Sequence, residues 1–188
     1  MLVDLGTGDG RLPYVLARQT ADRLFLGLDA SVAGLRDIST RAARAGLTNL
    51  IYVRASIEDL PAGLAGVADQ VTAILPWGSL LAAFAHPVVP LLENVRRLCA
   101  PDAALTVVLG VDPQRDRAEI LRLGLPELDA AHFAGALAAG YAAAGFVVTS
   151  VRPLTSEDLL RWPSSWAKRL AFGHRWPVFQ IEARASVE

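Results

Sequence analysis

The sequence predicts an α/β fold built on a mostly parallel sheet, and three observations carry that expectation. The first two-thirds of the chain alternates short apolar stretches with helix-periodic ones, the pattern of strands joined by crossover helices. A glycine-rich turn, Gly6-Thr-Gly-Asp-Gly10, lies between the first strand and the first helix. Asp29 closes the next strand, nineteen residues past Gly10. Strand, glycine turn, helix and a following acid are the parts with which open α/β sheets hold nucleotide-like cofactors, the acid accepting both hydroxyls of a ribose. For the glycines alone an ordinary tight turn is the alternative; the strand before them and the acid after them argue against it.

In chain order, Leu2–Leu5 reads as the first strand and Leu12–Gln19 as the helix behind the turn. Leu24–Leu28 is the second strand, and Ser31 the N-cap of a helix running to about Ala45 and closed by Gly46. Leu50–Val53 is the third strand, Ala55–Pro61 a loop, and Val71–Leu75 the fourth strand. A helix is expected from about Pro87 to Leu98, with Cys99 at its end as a buried thiol, and a fifth strand over Ala104–Leu109. Val111–Pro126, polar and carrying two prolines, reads as a loop insertion. Asp129–Ala144 is a helix of small residues closed by Gly145, Phe146–Val151 the sixth strand and Thr155–Leu160 a short helix. Trp162–Pro177 reads as irregular and aromatic, and Val178–Ala183 as the last strand. Opening inside a strand at residue 2 is unusual for such a fold, so the expectation is either a minimal chain or one whose natural leader precedes Met1.

At 188 residues the chain is read as one domain, 1–188, with a substantial core. No uncharged apolar run approaches the roughly 18 residues that span a bilayer, and the acid at Asp4 interrupts any signal-peptide pattern. The single cysteine, Cys99, excludes an internal disulfide and suits a reducing cytoplasm. His86, His132 and His174 are scattered and lack cysteine partners, so no metal site is expected. A net charge of −1 gives no global basic signal, so any nucleic-acid surface must be local. Basic residues are almost all arginine, with Lys168 the one lysine.

The spacing of the turn discriminates between cofactors. A dinucleotide site wants its third glycine one place later, where a helix N-terminus approaches a pyrophosphate. Here the spacing is Gly-x-Gly-x-Gly, and Asp4 and Asp9 would repel a pyrophosphate while welcoming a sulfonium with an amino group. The opening therefore resembles motif I of the class I S-adenosylmethionine-dependent methyltransferases. Because ligands lie beyond the carboxyl ends of the strands, Gly6–Gly10, Asp29-Ala30, Ser56-Ile57-Glu58 and Leu75–Ser79 should meet. The Ser56 backbone and Ile57 would hold an adenine; Glu58 is either part of that site or a solvated loop charge.

Leu75-Pro-Trp-Gly-Ser79 follows the fourth strand, where class I enzymes place the group to be methylated. Methylases of exocyclic amines resemble one another in carrying a polar acceptor there; Leu75 replaces it, and Trp77 would grip a target by its flat face. The alternative for Trp77 is core filler. Trp162–Pro177 holds three of the four tryptophans with Lys168, Arg169 and Arg175 and no acid, the mixture that a flipped base and its flanking phosphates require. The alternative is a packed lid, with Trp162 and Trp176 structural and Trp166 the better stacking candidate.

The combination Asp-Leu-Gly-Thr-Gly-Asp-Gly, Leu-Asp-Ala, Leu-Pro-Trp-Gly-Ser-Leu-Leu and Ser-Ser-Trp-Ala-Lys-Arg-Leu resembles, in order and over nearly all of the chain, the aminoglycoside-resistance 16S rRNA (adenine-N1)-methyltransferases. The resemblance implies the Rossmann-like class I methyltransferase fold: a mostly parallel seven-stranded sheet with an antiparallel last strand and helices on both faces. It implies S-adenosylmethionine as cofactor, S-adenosylhomocysteine as product, and a cytoplasmic monomer whose partner is 16S rRNA in the assembled 30S subunit, methylated at adenine-1408. It implies that Trp77 and Trp166 sandwich the flipped adenine. Asp4, Gly6, Gly8, Gly10, Asp29, Ala30, Ser56, Ile57, Glu58, Ile74, Ser79 and Ser164 would contact the cofactor or line its pocket. Arg41, Arg44, Lys168, Arg169 and Arg175 would meet rRNA, with Arg41, Arg44 and Arg169 forming one positive face around the pocket mouth. His174 and Trp176 stand near positions where the family has arginine, a departure that bears on substrate affinity. Adenine N1 has a free lone pair, so no general base is expected. Two other classes stay open: a methyltransferase of a small metabolite, and a non-catalytic rRNA-binding homologue.

Overall fold

The structure, a computed structural model, describes residues 1–173 and 176–187. One sheet of seven strands runs through it: β1 (Leu2–Leu5), β2 (Phe25–Asp29), β3 (Leu50–Arg54), β4 (Ala68–Ile74), β5 (Cys99–Leu109), β6 (Phe146–Pro153) and β7 (Phe179–Ala185), in the order β3-β2-β1-β4-β5-β7-β6. The pairs from β3 to β5 are parallel, and β7 runs antiparallel to both β5 and β6. The expected sheet, with its antiparallel last strand, is therefore what the chain forms. Strand order reverses between β1 and β4, and a cleft opens at the carboxyl ends of strands at such a switch.

Strand alternation sorts the core onto two faces. Val3, Leu5, Leu26, Leu28, Val71, Leu105 and Val107 point to one side. There they meet α3 (Gly78–Ala85), α4 (Val89–Leu98) and the helical run α6 (Ala130–His132), a π turn (Phe133–Leu137) and α7 (Ala138–Ala143). Leu2 and Phe25 point the other way, to the side of α1 (Arg11–Gln19), while α2 (Leu35–Arg44) packs on α1 and β3. On that same side Val108 of β5 receives α8 (Ser156–Leu160) and α9 (Ser165–Ala171). No helix among the described residues is long and apolar enough to cross a membrane.

Several boundaries differ from expectation, each for a physical reason. Helix α3 was not anticipated: nearly every one of its residues is buried, so it carries no polar stripe to mark its period. Ser31 does not cap α2. Its backbone N–H is instead tied to Asp29, its hydroxyl accepts from Ala33, and the helix starts behind Gly34. Gly34 is pressed on the glycine turn so closely that a Cβ there would stand 2.3 Å from the Gly8 carbonyl oxygen. Inside the supposed loop insertion lies α5 (Arg117–Leu123), its two prolines falling outside it and Gly124 ending it in the left-handed conformation, φ 61°. Within the supposedly irregular aromatic segment lies α9, with the Ser164 hydroxyl accepting from the Ala167 N–H. Cys99 begins β5 rather than ending a helix; it is buried, and its thiol donates to the Val95 carbonyl.

Candidate active site

Gly6 (φ 64°) and Gly8 (φ 58°) turn the chain sharply off the end of β1 in a conformation that disfavours any side chain. The turn is fastened from β2. Asp29 accepts the Gly8 N–H at 2.8 Å with one carboxylate oxygen and the Ser31 N–H at 2.8 Å with the other. Each oxygen keeps a second lone pair for a ligand. Above the turn is a cavity of about 700 Å³, within the range of cofactor sites.

Four segments enclose it. The glycine turn and Asp29-Ala30 form one side, and Ala55–Glu58 with Leu60 a second. This loop is held from behind by α4, whose Asn94 amide donates to the Ile57 carbonyl at 2.8 Å. Ile74, Leu75, Trp77, Ser79 and Leu80 form the third side, and Ser164 with Ser165, Trp166 and Arg169 of α9 the fourth; Asp116 also lines it. Trp77 and Trp166 thus line one cavity, 50% and 41% exposed, rather than filling the core. The Arg169 guanidinium lies 5.3 Å from the centre of the Trp166 ring.

The structure gathers Gly6, Gly8, Asp29, Ala30, Ser56, Ile57, Glu58, Ile74, Ser79 and Ser164 around the cavity, as expected. Glu58 belongs to the wall rather than to open solvent alone: the Ser79 hydroxyl beside its carboxylate holds it below the usual range. Two expected residues stand behind the wall. Asp4 is 3% exposed within β1 and takes a hydrogen bond from the Thr72 hydroxyl at 2.7 Å. Gly10 faces inward: Tyr52 donates to its carbonyl at 2.6 Å, and a Cβ would meet Ile38 at 2.6 Å, so this glycine serves packing.

Of the arginines expected to form one positive face around the mouth, only Arg169 is in the cavity lining among the described residues. Arg169 lines the cavity, and Lys168 is exposed beside it on α9. Arg41 and Arg44 occupy the last turn of α2, which starts at the glycine turn and descends; at 1.5 Å per residue Arg44 is about 13 Å further along. Arg41 rests over the Tyr14 ring instead, 5.0 Å from its centre. Arg175 lies outside the described residues.

Asp9, expected to favour a cationic ligand, lines the cavity as well, while Thr7, Leu60, Leu80, Asp116 and Ser165 were not singled out in the sequence. Thr7 sits inside the recognised motif and was within reach. Ser165 was visible only as the neighbour of Trp166.

The match to known proteins agrees with this geometry. The profile of the NpmA family, 16S rRNA (adenine(1408)-N(1))-methyltransferase, matches residues 1–185. The chain belongs to this family. Among relatives of this methyltransferase, a 16S rRNA (adenine(1408)-N(1))-methyltransferase of Escherichia coli is 35% identical, covering 98% of this chain and 86% of that protein. One of Streptoalloteichus hindustanus is 36% identical over 90% of this chain and 80% of its own. The crystal structure of the 16S rRNA methyltransferase KamB superposes with a TM-score of 0.88 at 33% identity, covering 98% of this chain and 87% of that one. A mutant of the Catenulisporales acidiphilia 16S rRNA (adenine(1408)-N(1))-methyltransferase, solved with cosubstrate SAM, superposes at 0.85 and 34% identity, covering 98% and 85%.

Proposed function

We propose that this methyltransferase moves a methyl group from S-adenosylmethionine to N1 of adenine-1408 of 16S rRNA in the 30S subunit, and thereby confers aminoglycoside resistance. The observation that carries the proposal is the pair of half-exposed indoles, Trp77 and Trp166, facing one cavity above the glycine turn.

The residues present suit the cofactor. Gly6 and Gly8 leave an open backbone floor, Asp29 has lone pairs for ribose hydroxyls, and Ile57 is an apolar neighbour for adenine. Asp9 and Asp29 make that end of the cavity negative, which favours a cationic ligand. When bound, S-adenosylmethionine supplies an electrophilic methyl to which N1 gives its lone pair as the carbon–sulfur bond breaks, leaving S-adenosylhomocysteine.

The protein's part is positioning. Trp77 and Trp166 hold the flipped base by its faces, leaving its edge free to meet the methyl in line. The product ring carries a positive charge, and two indole faces stabilise it by about 1–2 kcal/mol when desolvated. No side chain need take a proton. Lys168 and Arg169 meet the phosphates beside the flipped nucleotide, Arg41 and Arg44 add more distant contacts to rRNA, and Arg175, outside the described residues, is a further rRNA-binding candidate.

The test is purified 30S subunits with methyl-labelled S-adenosylmethionine, the modified base being mapped by reverse-transcriptase arrest. Label at adenine-1408, mostly lost in Trp77→Ala and Trp166→Ala, is the expected result. Cofactor binding without label transfer would place the chain with non-catalytic homologues, and transfer to a small metabolite instead would reassign the substrate.

A further inference from the structure

The helix that carries Trp166 is fastened to the glycine turn by one side chain. Ser165, the first residue of α9, donates its hydroxyl to Asp9 Oδ2 at 2.5 Å and accepts from Arg11 Nη1 at 3.4 Å. Asp9 in turn accepts the Arg11 backbone N–H at 3.2 Å with its other oxygen. The three groups form a closed cycle, and the hydroxyl uses its hydrogen and a lone pair at once. The rest of α9 packs by Ala167, Leu170 and Ala171, and the cycle at Ser165 adds a directional polar contact to that apolar one. Trp166 is the next residue after the cycle, so any turn of the helix about its axis swings the indole across the cavity.

We propose that Ser165 is a positioning residue that sets Trp166 against Trp77 through Asp9 and Arg11, coupling the base clamp to the turn that holds the cofactor. This rests on the function proposed above. Asp9 lines the cavity from the cofactor side while its carboxylate is spent on the clamp side, so a cofactor seated on the turn also steadies the surface on which the target base stacks. A bond to an ionised carboxylate is the stronger class of hydrogen bond, strong enough to choose one helix orientation over others.

The experiment uses the full chain and three variants, Ser165→Ala, Ser165→Thr and Asp9→Asn, with Asp9→Asn/Ser165→Ala as the double. Calorimetry gives S-adenosylmethionine affinity, and methylation of 30S subunits at saturating cofactor gives the target step. Ser165→Ala should keep cofactor affinity within about twofold while kcat/KM for 30S falls about tenfold, the effect of one charge-assisted bond. Ser165→Thr, which keeps the hydroxyl, should recover most of that loss. The double variant should be no worse on the 30S step than the poorer single, as expected for one shared contact. Hydrogen exchange at Ala167–Ala171 should quicken in Ser165→Ala, a readout independent of methylation.

Unchanged 30S kinetics in Ser165→Ala, or unchanged exchange across α9, overturns the proposal. So does an equal loss of cofactor affinity and 30S activity, which would make Ser165 a cofactor ligand. If the wild-type chain leaves 30S subunits unmethylated, the functional reading fails on its own. The exchange measurement then still decides whether Ser165 fastens α9: faster exchange upholds the contact and equal exchange overturns it.

Discussion

Asp4 is the sharpest place to perturb this protein. It is 3% exposed, and burial pushes its carboxyl from an ordinary 3.8 up to about 6, with Asp29 and Asp9 adding to the rise and the Thr72 hydroxyl opposing it. Below pH 3.8 the group is neutral in both the folded and the unfolded chain. Between 3.8 and about 6 only the unfolded chain ionises, so the folded state binds the extra proton and stability falls as pH rises. Above about 6 the deficit is complete, at about 3 kcal/mol. Asp4→Asn, which keeps the shape and cannot ionise, should therefore match wild type near pH 3.5 and exceed it by up to about 3 kcal/mol near pH 8. Urea unfolding across that range reads the difference directly. The deficit also has a counterpart in binding. A cation on the glycine turn favours ionised Asp4, so S-adenosylmethionine should bind more tightly as pH rises toward neutrality and release a proton near pH 6, detectable by calorimetry in buffers of different ionisation enthalpy. Asp4→Asn should abolish that proton release. Stability curves of wild type and variant that run parallel at every pH would refute the reasoning.

Trp77→Ala and Trp166→Ala should each lower 30S methylation by about 1–3 kcal/mol of stacking, with phenylalanine retaining part of it and the melting temperature little changed because both indoles are half-exposed. Asp29→Ala should weaken cofactor binding by about 1–3 kcal/mol in a titration, since the Gly8 and Ser31 amides lose their acceptor along with the ribose. Neutralising Lys168 and Arg169 should flatten the salt dependence of 30S binding more than neutralising Arg41 and Arg44, which lie further from the cavity; filter binding over a salt series ranks the pairs. Gly34→Ala should lower cofactor affinity without touching the cavity, because its Cβ would stand 2.3 Å from the Gly8 carbonyl oxygen; retained affinity by calorimetry would show that the turn yields freely.

The half of the fold that binds a cofactor was legible because its signals are local. Leu2, Val3 and Leu5 precede the glycines directly, and Asp29 falls at a strand end fixed by chain length. What escaped depends on distant contacts. Ser165 and Asp9 are 156 residues apart and share a hydrogen bond that no pattern announces. Helix α3 has no polar face because the sheet, α4 and α5 surround it. Arg41 and Arg44 sit in the last turn of α2, which ends about 13 Å along the helix from its start beside the glycine turn, a separation that sequence distance from Asp29 does not reveal. Ser31 had every local mark of a helix cap, and the demand of Asp29 for its N–H displaced the helix start.

Leu75 shows how these constraints meet at one residue. It occupies the left-handed region, φ 54°, directly before Pro76, a conformation that costs a leucine about 1–3 kcal/mol and that proline further disfavours in its predecessor. Asparagine would adopt it with less strain and would offer an amine acceptor as well. The structure indicates why an apolar residue stands there. The Leu75 N–H is bonded to the Val108 carbonyl at 2.9 Å, and its side chain packs, with Ile74 and Trp162, against the cluster containing Leu170 and Ala171 of α9. The loop that carries Trp77 and the helix that carries Trp166 therefore share one apolar anchor, and Leu75 belongs to it. A polar side chain at this position would gain a hydrogen bond to an amine that N1 chemistry does not need. It would lose the packing that holds two aromatic faces in fixed relation, which that chemistry does need.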